Sequence, residues 1–139
     1  MSRFVLDASV ASAWLFDDEN DPRSNEALAR LESEVALVPQ FWHIEVRSAL
    51  LGAERRGRIR VDEVGERLRR LGELPIRTDM EPDFRVAFTL ARTHGLSMYD
   101  AVYLELAQRS GAPLATLDQA LARAAVAAGR QLIEPLTEL

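Results

Sequence analysis

The chain has no cysteine and no lysine among its 139 residues. Without cysteine there is no disulfide and no thiolate metal site. That usage fits a reducing compartment, and the cytoplasm is expected. Two histidines, His43 and His94, leave too few nitrogen ligands for a zinc centre. Any resident metal is therefore expected to be a hard cation held by carboxylates. All 17 basic residues are arginine, so Schiff-base chemistry and phosphate-cradling P-loops are excluded. No apolar run approaches the ~20 residues of a membrane span. The N-terminus lacks a basic region ahead of an apolar core, and no signal peptide is expected. The formal charge of -5 disfavours nucleic-acid binding by bulk electrostatics, unless the acid is local and neutralised by a metal.

What is present reads as one domain spanning 1–139, long enough for a real core. Phe4-Val5-Leu6 is a short buried strand ending at Asp7, with a helical pattern from Ala11 through Leu15. An acidic link from Asp17 leads to Asp21-Pro22, a cap followed by proline at the first helical position. Val35 to Pro39 is a second strand, and Phe41 to Arg56 a helix closed by Gly57. Asp62 is expected to cap a helix through Leu71. Leu74 to Thr78 reads as a strand placed at an edge by Pro75. Helices follow at Glu81–Thr93, from the Ser97 cap to about Arg109, and at Gln119–Ala128. Strands are expected at Ala112–Leu117 and Gln131–Glu134. This alternation predicts an α/β fold with a parallel or mixed sheet and helices on both faces.

Four acids stand beside buried apolar sequence. Asp7 and Asp118 each end a strand. In one parallel sheet both would lie at its carboxyl edge, where α/β folds bind ligands. Each also reads as a simple helix cap. Glu45 lies at the margin of the stripe Trp42, Val46, Ala49, Leu50, Ala53, with Arg47 and Arg56 as available ion-pair partners. Asp100 follows Ser97 at the spacing of a capping box, in a helix apolar nearly all round. Carboxylates brought together repel one another unless a divalent cation neutralises them. Such a centre suits phosphoryl transfer. Without these four acids the formal charge of -5 becomes -1. Arg47, Arg55, Arg56, Arg58 and Arg60 form a basic stretch, readable as a phosphate-holding surface or as a solvated helix end.

The stretches Val5-Leu-Asp-Ala-Ser9, the Trp14 helix with its acidic link, Pro39 with Glu45, Ser97-Met-Tyr-Asp-Ala-Val-Tyr-Leu104 and Leu114-Ala-Thr-Leu-Asp118 occur in this order. Together they resemble PIN-domain ribonucleases, in particular the VapC-type toxins of type II toxin–antitoxin pairs. The resemblance implies a three-layer α/β/α sandwich with a mainly parallel central sheet. It implies Mg²⁺- or Mn²⁺-dependent endonucleolytic cleavage of RNA. Asp7 and Asp100 match the principal metal ligands, and Glu45 and Asp118 match further ligands, direct or through water. Ser9 and Thr116 match hydroxyl residues that support the site. The implied partners are an RNA substrate, a cognate antitoxin and a second copy of the chain; no membrane is implied. A non-cleaving, metal-dependent RNA- or peptide-binding module and a PIN nuclease of RNA processing are the alternatives. A response-regulator receiver domain needs a lysine, and an aspartyl-phosphate phosphatase needs a second Asp where Ser9 stands.

Overall fold

A sheet of four parallel strands carries the architecture, in the order β3-β2-β1-β4. The computed structural model describes residues 2–135; residues 1 and 136–139 of the expected domain lie outside the described residues. Strand β1 (Arg3–Leu6) is central. It pairs on one side with β2 (Val35–Pro39) and on the other with β4 (Leu114–Ala115). Strand β3 (Ile76–Asp79) takes the outer edge beside β2, so the edge expected from Pro75 is realised. The Leu6-equivalent ends of all four strands point the same way. Chain direction across the sheet reverses at the β1–β4 pair, and ligand crevices open at such a point.

Helices fill the crossovers. They are α1 (Ala8–Trp14), α2 (Pro22–Arg30), α3 (Trp42–Arg55), α4 (Val61–Leu71), α5 (Phe84–His94), α6 (Met98–Ser110) and α7 (Gln119–Ala127). The contact series α2–α1–α3–α4 and α5–α6–α7 place helices on both faces of the sheet, the three-layer arrangement expected. Helix α6 is the inner one. Ala101 to Ala107 are buried without a break, which is why its sequence lacks a polar face. Among the described residues no helix is long and apolar enough to cross a membrane.

Several local expectations are corrected. Strand β4 covers only two of the six residues from Ala112 to Leu117. Beyond Ala115 the amides leave the ladder: those of Leu117 and Asp118 bond the Ser9 and Thr116 hydroxyls. With β4 so short, the expected strand at Gln131–Glu134 reduces to a single parallel bridge, Leu114 with Leu132. The fourth helix starts at Val61, capped at Arg60, whose N–H bonds the Glu63 carboxylate. Asp62 is therefore in the first turn and not the cap. The fifth starts at Phe84 and not Glu81, because Pro82 holds Glu81 out of helical conformation and Asp83 accepts from the Arg85 and Val86 amides.

The far half of α6 is tied down by an acid the sequence reading did not single out. Glu105 is buried and accepts the Asp83 N–H at 2.6 Å and the Arg109 Nε at 3.0 Å. Arg109 in turn grips Asp79 with both terminal nitrogens, at 3.1 and 2.7 Å. Strand β3, the α5 cap and α6 thus share one charge-matched clamp. Removing a buried charge strands its partners. Glu105→Ala is expected to lower unfolding stability by about 2–3 kcal/mol, less than the ~3–5 kcal/mol of a fully buried pair because Arg109 is partly solvated. Urea denaturation followed by circular dichroism measures it; a loss under about 0.5 kcal/mol would refute the clamp.

Candidate active site

The register of β1 against β4 builds the first half of the site. The Asp7 N–H donates to the Ala115 carbonyl at 2.9 Å, so Asp7 and Thr116 leave the sheet side by side. The Thr116 hydroxyl donates to Asp7 Oδ2 at 2.6 Å and accepts the Asp118 N–H at 3.0 Å. The Ser9 hydroxyl donates to the same Oδ2 at 2.8 Å and accepts the Leu117 N–H at 3.0 Å. Each hydroxyl is oriented by an amide and aimed at one carboxylate oxygen. Asp7, 5% exposed, stands at the cap position of α1 yet makes no side-chain cap bond, so the simple cap reading fails for it. Asp118 does cap its helix, Oδ1 accepting the Leu121 N–H at 2.8 Å. Its other oxygen takes no hydrogen bond among the described residues.

Glu45 and Asp100 come from helices. The expected arginine partner of Glu45 is not used: Arg47 bonds the His43 carbonyl, and Arg56 makes no ion pair with it. Glu45 Oε1 instead accepts the Tyr103 hydroxyl at 2.7 Å. At the start of α6 the Ser97 Oγ accepts the Asp100 N–H at 3.2 Å. The return bond from the Asp100 carboxylate to the Ser97 N–H, which a capping box requires, is not formed. Among the described residues the Asp100 carboxylate joins no ion pair, and the Ser97 hydroxyl beside it is the one group that lowers its pKa. Tyr103 is the site residue that the sequence reading missed. It lies in the helix that reads as apolar nearly all round, and its one signal is a polar tip one turn beyond Asp100.

The basic stretch is mostly committed elsewhere. Arg58 pairs with Asp18 at 2.7 Å and Glu19 at 3.1 Å and lies 4.1 Å over the Phe16 ring. Arg60 pairs with Asp62 and Glu63. Among the described residues Arg47, Arg55 and Arg56 are the members of the stretch outside ion pairs.

The electrostatics of the four acids run together. Among the described residues none of them joins an ion pair, although arginines pair with twelve other carboxylates. Burial raises the Asp7 pKa, opposed by the Thr116 and Ser9 hydroxyls and reinforced by the Asp118 charge. Burial also raises Glu45; the Tyr103 hydroxyl opposes it, and the charges of Asp7 and Asp100 add to it. Asp100 is pushed up to about 6, first by burial and then by Asp118 and Asp7. Every donor is a hard oxygen, which suits Mg²⁺ or Mn²⁺. Among the described residues no three His, Asp or Glu side chains stand close enough to enclose an ion together. The fit to such a cation rests on the all-oxygen donor set, since Mg²⁺ keeps several waters and needs only one or two carboxylates.

A carboxyl whose folded pKa is raised costs stability as it ionises. For Asp100 the loss sets in above the unfolded value of about 4. It is complete once the pH passes about 6. Metal-free Asp100→Asn is expected to melt with the parent near pH 4 and several degrees above it at pH 7.5, read by thermal denaturation in EDTA. Equal melting at both pH values would contradict the strained cluster.

A family model described as PIN domain matches residues 4–127. Ribonuclease VapC3 of Pyrobaculum aerophilum is 33% identical over 124 residues, covering 86% of this chain and 92% of the relative. Ribonuclease VapC3 of Mycobacterium tuberculosis is 34% identical over 120 residues, covering 86% of this chain and 85% of the relative. Among solved structures, PAE2754 from Pyrobaculum aerophilum superposes with a TM-score of 0.67 at 22% identity, covering 88% of this chain and 84% of that one. Mycobacterium tuberculosis VapC20, described as a sarcin–ricin loop cleaving toxin, gives 0.60 at 15% identity, with 95% and 99% covered. FitAcB from Neisseria gonorrhoeae gives 0.62 at 21% identity, with 95% and 97% covered. The structural likenesses carry the fold, and the family match with the two sequence relatives carries the membership: this chain belongs to the PIN-domain family, in its VapC-type branch.

Proposed function

We propose that the chain is a divalent-metal-dependent endoribonuclease acting as the toxin of a type II toxin–antitoxin pair. The observation that carries the reading is the set of four electrostatically linked carboxylates without a basic partner, in a chain whose other acids are widely paired with arginine. The relatives named ribonucleases support RNA as the substrate, and the VapC20 description supports a toxin. The same reading assigns a cognate antitoxin protein and a second copy of the chain as partners, and the cytoplasm as the compartment.

In this reading Asp7 and Asp100 are the principal ligands of Mg²⁺ or Mn²⁺, with Glu45 and Asp118 contributing directly or through water. When bound, the ion supplies charge neutralisation at the phosphate and a lowered pKa for the attacking water. The water oxygen would lose a proton and bond to phosphorus, the bond from phosphorus to the leaving oxygen would break, and that oxygen would take up a proton. Ser9 and Thr116 keep Asp7 from rotating by engaging Oδ2, so Oδ1 is the oxygen that would take the ion. Asp118 is held through its Oδ1 cap bond, so its second oxygen has a defined direction. Backbone amides orient both hydroxyls before substrate arrives, so the geometry needs little rearrangement during reaction.

Two outcomes are expected. Purified parent protein cuts cellular RNA with Mg²⁺ or Mn²⁺ and not with EDTA, and folded Asp100→Asn is slower by at least about 100-fold. Metal binding without any cleavage would favour the non-cleaving module. Separately, millimolar Mn²⁺ is expected to raise the melting temperature of the parent and leave that of Asp100→Asn nearly unmoved, because only a ligand that binds the folded state stabilises it.

A further inference from the structure

Tyr103 is 1% exposed, and every polar contact of its hydroxyl points at the site. A phenol has one proton to give and lone pairs to receive. The proton goes to Glu45 Oε1 at 2.7 Å. The oxygen receives the Ala8 N–H, the first amide of α1, at 3.3 Å. That amide is one of the donors a helix start leaves without an intrahelical partner. By occupying the phenol oxygen it turns the phenol proton toward Glu45. The ring is fixed as well: Phe41, just ahead of α3, meets it edge-on with centroids 5.5 Å apart. Asp100 lies three residues earlier on the same face of α6. One side chain thus joins the beginnings of α1, α3 and α6, each of which carries one of the acids.

We propose that the Tyr103 hydroxyl is a positioning group that aims Glu45 for cation binding, an inference that rests on the metal-dependent reading above. With Oε1 engaged, Glu45 presents Oε2 alone, in a fixed rotamer. The choice of a phenol is chemically specific. An arginine would anchor Glu45 as firmly, but it would neutralise the carboxylate and repel the ion. A neutral donor holds the group and leaves its negative charge available. Groups that orient a metal ligand through its second oxygen characteristically change affinity by 10–100-fold when removed.

The test is a double-mutant cycle of parent, Tyr103→Phe, Glu45→Ala and the double variant. Mn²⁺ binding by calorimetry is the first readout. Urea unfolding in EDTA is a second that needs no metal. Tyr103→Phe keeps the ring and its Phe41 contact. It is expected to weaken Mn²⁺ binding about 10-fold. In the Glu45→Ala background the same substitution is expected to change binding less than about 2-fold, because the group it acts through is gone. Its shift of the urea midpoint is likewise expected to shrink in that background. Raising Mn²⁺ about tenfold is expected to restore RNA cleavage by Tyr103→Phe, which a general loosening of the core would not allow. Equal Mn²⁺ affinity in parent and Tyr103→Phe, or an undiminished effect of the substitution in the Glu45→Ala background, would overturn the positioning role. A parent that takes up no Mn²⁺ would overturn the reading beneath it and the positioning role together.

Discussion

Four carboxylates held together without a basic neighbour repel one another, and the fold has to absorb that repulsion. An arginine would relieve the strain most simply, and the chain has 17. It uses them elsewhere, as in the Asp17–Arg67 pair and the Asp79–Arg109–Glu105 clamp. At the site only neutral donors appear: the hydroxyls of Ser9, Thr116 and Tyr103 and the Leu121 amide. Neutral donors fix direction without cancelling charge. Positive charge is matched outside the site and withheld within it.

This segregation depends on the parallel register at the centre of the sheet. Because the Asp7 amide bonds Ala115, Asp7 and Thr116 emerge together, and one hydroxyl bridges to Oδ2 while receiving the amide of Asp118. A slip of β4 by one residue would turn Thr116 to the other face of the sheet and break both bonds. Helix α6 delivers the other half. Its first two turns carry Asp100 and Tyr103, and its far half is locked by Glu105 and Arg109. A helix anchored at both ends and buried between them places its acid with little freedom.

Much of this was legible in the sequence, for reasons that differ by residue. Short apolar runs ending in Asp7 and Asp118 report buried parallel strands, because such strands are covered on both faces. Asp21-Pro22 reports a helix start through a local bond, which the structure forms to the Arg23 amide. Pro75 reports an edge because it cannot donate to a ladder. What depended on tertiary neighbours was not legible. Asp7 and Asp118 share the pattern of an acid between strand and helix, yet only Asp118 caps. The difference lies in Ser9 and Thr116, which take Asp7 Oδ2, and Thr116 is 109 positions away. Tyr103 sits in an apolar run, and its spacing from Asp100 alone does not say that its hydroxyl meets Glu45 on another helix. The end of β4 was unreadable because hydroxyls replace the ladder there. Arg58 looked available because Asp18 and Glu19 reach it from 40 and 39 residues upstream.

An acidic protein facing RNA becomes physically coherent once its charge is divided this way. Four acids account for most of the net charge of -5, and they are gathered where a divalent ion would meet the phosphate. Away from that point the surface is close to balanced, with Arg55 and Arg56 left free of ion pairs among the described residues. Such a chain gains little from long-range attraction to RNA, so encounter would depend on the ion and on groove shape. Burial and mutual repulsion raise the proton affinity of Asp100 to about 6. A proton and a cation then compete for the same carboxylates. At neutral pH the proton has largely left, and the strain it leaves behind is what a bound cation would relieve. The instability of the metal-free cluster and its affinity for a divalent ion are, on this account, two expressions of one arrangement of charge.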